Sequence, residues 1–294
     1  MKWIVGVDLR ETATGALHFS QWLARHASRP ARHVFVPVHV LEESYLLQVL
    51  RYTHEADVEA RALADARAQL ARAELDAITE PIKITRGVVA DEALVRELDA
   101  ERADALVIGR QAPSHERHFV RLGRVARRLV RGLPCPIVVA PPDLRVDAIG
   151  QGPIVLATDL EETCGAAAKF AHRLALATGR GLVVAHVIPH EIESARYVPT
   201  TTIEQFYSQV GLDRQRDLQH WKATHGVAEA ASVVAHGDIV ARLTAIAEVE
   251  GAPMIVCGSR VLGTLERVFA TSVATDLSCW AECAIAIVPP TAPV

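Results

Sequence analysis

The chain contains itself twice, and that restricts its fold more than any other feature. Val5–Phe19, VGVDLRETATGALHF, is answered by Leu156–Phe170, LATDLEETCGAAAKF. In both, Asp-Leu leads to Glu-Thr and then to a small-residue segment reaching Phe eleven positions after the Asp. Four more landmarks follow in the same order. His39-Val40 answers His186-Val187, Gly87 answers Gly237, Gly109 answers Gly258, and Cys135 answers Cys283. The five spacings are 151, 147, 150, 149 and 148 residues. That period is too long for a solenoid unit, so it marks a duplicated domain. We expect two domains, residues 1–143 and 152–294, joined by the Pro- and Gly-rich stretch PPDLRVDAIGQGP.

Within each half, short apolar runs alternate with helical patterns. In the first half the strands are expected at Lys2–Asp8, His33–Val40, Ile82–Gly87, Ala105–Gly109 and Ile137–Ala140. Helices are expected over 11–27, 55–78, from about 91, and over 119–131. Strands alternating with helices imply an α/β fold with a parallel sheet covered on both faces. In such a sheet, ligands settle beyond the carboxyl ends of the strands where strand order switches. If strands one and four flank that switch, Asp8 and Gly109 converge there, as do Asp159 and Gly258. The Asp can accept hydrogen bonds from a ribose or base. The Gly admits a phosphate close to the backbone at a helix N-terminus. The plainer alternative is that each Asp caps a helix and each Gly permits a turn.

These landmarks closely resemble the universal stress protein family, arranged as two family domains in tandem. The strand-one Asp, the His-Val ending strand two, the VIG and VCG ending strand four and the closing CPIVVAPP and AIAIVPP carry the resemblance. It implies two five-stranded, doubly wound parallel sheets of strand order 3-2-1-4-5, related by a pseudo-two-fold. It also implies pairing through strand five, here between the halves of one chain. Exposed PIVVA and AIAIV edges would otherwise be sticky, which independently favours that pairing. A homodimer remains an open alternative.

The resemblance further implies ATP or another adenine nucleotide, with Mg accompanying it. The adenosine contacts would be Asp8 and Val40, and Asp159 and Val187. ATP-binding members carry G-x2-G-x9-G-[ST] after strand four, and both halves depart from it. In the first, Gly109 stands, Ala112 replaces the second Gly, and Gly123-Arg124 closes one residue late without a hydroxyl. Arg124 can supply charge where the hydroxyl is lost. In the second, Gly258 is followed by Ser259, Val261 stands at the second Gly position, and Gly263 is out of register. The closing pair is Thr271-Ser272, which keeps the hydroxyl and loses the Gly. A β-branched residue at a bend toward a phosphate is a steric objection. The second half is the favoured site because it retains more donors.

Other features narrow the function. The formal net charge is −4, which does not suggest nucleic acid. Residues 1–145 carry 21 Lys/Arg against 19 Asp/Glu, and the remainder 10 against 16, so the halves face solvent differently. Arg121, Arg124, Arg128 and Arg131 share one helical face, read as solvated or as meeting the acidic second half. Five scattered cysteines form no disulfide framework and fit a reducing cytoplasm. Cys279 and Cys283 lie one helical turn apart but read best as small buried hydrophobes, so no metal is expected. The run after Lys2 is interrupted by Asp8, so neither a signal peptide nor a membrane span is expected. No nucleophile elbow, paired-carboxylate signature or P-loop appears. The expected protein is a non-catalytic stress-response protein. A weak ATPase or nucleotide-gated switch and a ligand-free scaffold are the alternatives.

Overall fold

A computed structural model describes residues 1–10, 14–28, 33–110, 122–189, 197–199, 202–259 and 273–291. The first half runs β1 (Lys2–Gly6), α1 (Gly15–Arg25), β2 (Val34–Glu42), α2 (Glu43–Val49), α3 (Glu55–Arg72), β3 (Lys83–Gly87), α4 (Ala90–Glu101), β4 (Ala105–Gly109), α5 (Arg124–Gly132) and β5 (Ile137–Ala140). The second runs β6 (Ile154–Ala157), α6 (Gly165–Thr178), β7 (Leu182–Ile188), α7 (Ile203–Thr224), β8 (Ala231–His236), α8 (Ile239–Val249), β9 (Met254–Gly258), α9 (Val273–Trp280) and β10 (Ala284–Val288).

The strand order is β3-β2-β1-β4-β5-β10-β9-β6-β7-β8. Each half therefore has the expected 3-2-1-4-5 order, but the two sheets are one sheet of ten strands. The seam is antiparallel, with Ile285 opposite Val139, Ala286 opposite Val138 and Ile287 opposite Ile137. All other pairs are parallel. The edges that looked sticky in the sequence cover each other.

Alternation along the strands sorts side chains into two cores. Trp3, Val5 and Val7 join one cluster with Phe19 and Trp22 of α1, Leu70 of α3, Leu174 of α6 and Trp221 of α7. Ile4 points the other way, into a cluster with Leu94 of α4, Leu129 of α5, Leu243 of α8 and Leu277 of α9. Both clusters draw on both halves, so the core continues across the seam. Arg173 reaches Asp104 at 3.2 Å, and Arg180 lies 5.8 Å over the ring of Trp22. The linker is strapped down by Gly152 N–H donating to Gly251 O at 2.8 Å. A Cβ on Gly150 or Gly152 would run into the backbone of Glu250 and Gly251.

Some boundaries differ from expectation. β2 continues two residues past Val40, to Glu42, and α2 follows at once. α3 stops at Arg72 because Glu74 turns left-handed, at φ 52°. Trp280, at the end of α9, is half exposed. Arg128 pairs with Asp91 of its own half at 3.3 Å rather than with the acidic second half. Among the described residues, no helix is long and apolar enough to cross a membrane.

Candidate functional site

The strand ends of the two halves share one construction. Val7 N–H donates to Val38 O at 2.8 Å, and Thr158 N–H to Ala185 O at 3.0 Å. His39 Nδ1 lies 2.9 Å from Val7 O, and His186 Nδ1 lies 2.9 Å from Thr158 O. A carbonyl partner requires the proton on Nδ1 in both rings. Burial also pushes the pKa of His186 down, which favours the neutral ring. Each histidine thus fixes the residue just before the strand-one Asp. Asp8 Oδ1 then accepts from Arg10 N–H at 3.2 Å, and Asp159 Oδ1 from Glu161 N–H at 3.1 Å. The two aspartates close the same two-residue Asx turn.

Beyond that turn the halves diverge. In the first, a cavity of about 540 Å³ opens at the carboxyl ends of the strands. Asp8, Val40, Gly109, Gly123 and Arg124, the five first-half candidates, all line it. Val38, Leu46, Leu94 and Ile108 give it an apolar wall, with Tyr45 and Glu42 beside them. Parallel pairing produces this convergence: β1 lies between β2 and β4, so their ends meet at the order switch.

Arg124, expected to meet a phosphate, is otherwise engaged. Its guanidinium donates to both carboxylate oxygens of Glu42, at 2.7 Å to Oε1. Glu42 Oε1 also accepts from Ala90 N–H at 3.0 Å. That contact matters locally because Val89, at the N-cap of α4, makes no side-chain cap. The hydrogen bond to Glu42 raises the pKa of Arg124 further. Arg110 follows Gly109, is buried, and donates through Nη1 to Ser278 O at 3.0 Å and Ala281 O at 3.2 Å. These carbonyls lie at the C-terminal end of α9, where a cation is favoured. Burial lowers the Arg110 pKa, and its Nε has no hydrogen-bond partner among the described residues.

In the second half, Asp159 and Gly258 are brought together through Cys164. Cys164 Sγ donates to Asp159 Oδ1 at 3.1 Å. A Cβ on Gly258 would lie 3.0 Å from the same sulfur. Burial pushes the Cys164 thiol up to about 11, so it serves as a packed hydrogen-bond donor. Val187 is buried, and Ser259 N–H donates to Val288 O at 3.0 Å. Gly263, Thr271 and Ser272 lie outside the described residues, as do Ala112 and Val261. Among the described residues, no cluster of three or more His, Cys, Asp or Glu side chains could hold a metal.

Sequence reasoning missed Glu42, Arg10, Arg110 and the α2 residues Tyr45 and Leu46. A signal existed where the repeat fails. Aligning His39 with His186 puts Glu42 opposite Pro189, and aligning Gly109 with Gly258 puts Arg110 opposite Ser259.

Comparison with known proteins agrees with this architecture. The model of the Universal stress protein family matches residues 1–141 and again 152–289. A universal stress protein from Archaeoglobus fulgidus DSM 4304 superposes with a TM-score of 0.66 at 14% identity, covering 98% of each chain. A functionally unknown protein from Pseudomonas aeruginosa PAO1 superposes with a TM-score of 0.65 at 14% identity, covering 98% of this chain and 92% of that one. At such identity the structural likeness speaks for the fold alone. No curated protein sequence matches the chain.

Proposed function

This chain belongs to the universal stress protein family as a tandem of two family domains, and from that premise we propose that it is a non-catalytic, cytoplasmic stress-response protein that binds an adenine-containing ligand in its first-half crevice. The domains we assign are residues 1–143 and 152–294. One observation carries the reading: the five first-half residues nominated from sequence line a single cavity of about 540 Å³. That volume lies within the roughly 300–1,000 Å³ usual for small-molecule sites. The apolar wall suits a purine ring. Asp8, at the strand-one end, suits the hydroxyls of a ribose, and Val40 lies beside it.

The proposed role is holding rather than reacting. Asp8 is paired with Arg10 at 3.0 Å and Glu42 with Arg124, so both carboxylates already have cationic partners within the chain. In the second half, the Asp159–Cys164–Gly258 contact supports a structural role for that crevice. Any homodimer must use surfaces other than β5 and β10, which pair with each other. The free cysteines support a reducing compartment.

Thermal-shift titration of the full chain with AMP and adenosine tests the proposal. Saturation at about 100 times Kd should stabilise the wild type by about 2.7 kcal/mol. Asp159→Ala should keep the shift and Asp8→Ala should lose it. A shift lost only in Asp159→Ala would move the site to the second half. No shift at millimolar ligand would leave the scaffold reading.

A further inference from the structure

Every described cation lining the first-half cavity is already answered by an oxygen of the protein. Arg10 Nε lies 3.0 Å from Asp8 Oδ2. Arg110 donates across the seam to Ser278 O and Ala281 O. Arg124 is held by Glu42, whose carboxylate also accepts from Ala90 N–H, the first residue of α4. A guanidinium and a helix N-terminus are what a nucleotide phosphate seeks. Here one carboxylate of the chain, only 7% exposed, occupies both.

This arrangement is not a general requirement of the fold. In the second half, the helix matching α4 is α8, and its own Asp238 caps it by accepting from Ala241 N–H at 2.8 Å. Pro189 stands where Glu42 would be in the repeat. Glu42 is therefore an added anion at the mouth of one crevice.

We propose that Glu42 is a built-in substitute for phosphate, and that it makes the first-half cavity select an uncharged purine nucleoside over its phosphorylated forms. This rests on the reading that the crevice takes an adenine-containing ligand. Size does not impose the choice, because about 540 Å³ leaves room for more than a nucleoside. Charge does. An arriving phosphate must displace Glu42 from Arg124 or lie beside it. The first leaves a buried carboxylate short of its cation, and the second sets like charges side by side. A nucleoside meets neither obstacle. Asp8 stays available to its ribose, and the ring rests among Val40, Leu94 and Ile108.

The test is equilibrium dialysis of the full chain with adenosine, AMP and ATP, on wild type, Glu42→Gln and Asp8→Ala. The binding lost in Asp8→Ala reports the first-half cavity. In the wild type, affinity should fall with each added phosphate, leaving adenosine at least about tenfold tighter than ATP. Glu42→Gln keeps an oxygen for Ala90 N–H, removes the charge and frees Arg124. It should bring ATP to within about threefold of adenosine. If that variant does not fold, the phosphate series on wild type decides alone. ATP binding as tightly as adenosine in the wild type, in an Asp8-dependent way, overturns the selectivity and leaves the crevice reading standing. Unchanged discrimination in a folded Glu42→Gln removes Glu42 from the role. No Asp8-dependent binding of any of the three removes both readings.

Discussion

The two crevices began as copies, and comparing them separates what the scaffold needs from what each half does with it. Both keep a histidine on the carbonyl before the strand-one Asp, and both keep the Asx turn that follows. Those features shape the strand end whatever lies beyond it. The first half then places Arg10, Glu42, Arg110 and Arg124 around an apolar cavity, whereas the second packs Cys164 between Asp159 and Gly258. Keeping the backbone device while exchanging the side chains around it lets one fold carry an open cavity in one half and a packed contact in the other.

The severest way to break the comparison is at the seam that makes two halves one sheet. Val138 is fully buried opposite Ala286. Val138→Asp places an unpaired charge there and should cost on the order of 4 kcal/mol or more in urea unfolding. Wild-type stability in that variant would mean that the halves stand independently of their seam.

Acid should weaken the first half through His33. Its ring is buried, accepts from Trp3 Nε1 at 2.9 Å, and has its pKa lowered to about 4, chiefly by burial and then by the nearby N-terminal charge. In the unfolded chain the ring ionises near 6.5. Above that pH both states are neutral and His33 adds no slope. Between about 6.5 and 4 the unfolded state binds more protons, so stability falls as pH drops, by about 3 kcal/mol in all, and levels off below. Urea midpoints at stepped pH should show that loss. His33→Gln, whose oxygen can still accept from Trp3, should flatten it. His186 adds a loss of the same sign in the second half.

The smallest effect sharpens the second half. Gly258→Ala should destabilise by about 1–2 kcal/mol, because its Cβ would press on Cys164 Sγ at 3.0 Å. Cys164→Ala should relieve part of that cost, giving a coupling energy in a double-mutant cycle. Strict additivity would mean that the two residues do not pack as described.

The duplication and the strands were legible because parallel strands buried on both faces read as unbroken apolar runs. Their 3-2-1-4-5 order, and with it the meeting of Asp8 with Gly109, came from the resemblance to the universal stress protein family. Pairing through Ile137–Ala140 was legible from the same cause, an apolar edge in need of cover. The seven-residue α2 was not, since so short a segment has no period to read. Nor was the partner of Arg124, because Glu42 lies 82 residues away and only the folded chain brings the end of β2 to the start of α5. The sequence therefore showed an arginine free for phosphate where the fold shows one already engaged. It also favoured the second half by counting donors, a measure blind to Cys164 filling the space between Asp159 and Gly258.

A crystal structure of the full chain soaked with adenosine tests the central claim most directly. The account predicts one nucleoside in the first-half cavity, its ribose at Asp8, its ring beside Val40, and the Glu42–Arg124 pair unbroken. Adenosine held against Asp159 and Val187 instead, or found in neither crevice, would contradict it.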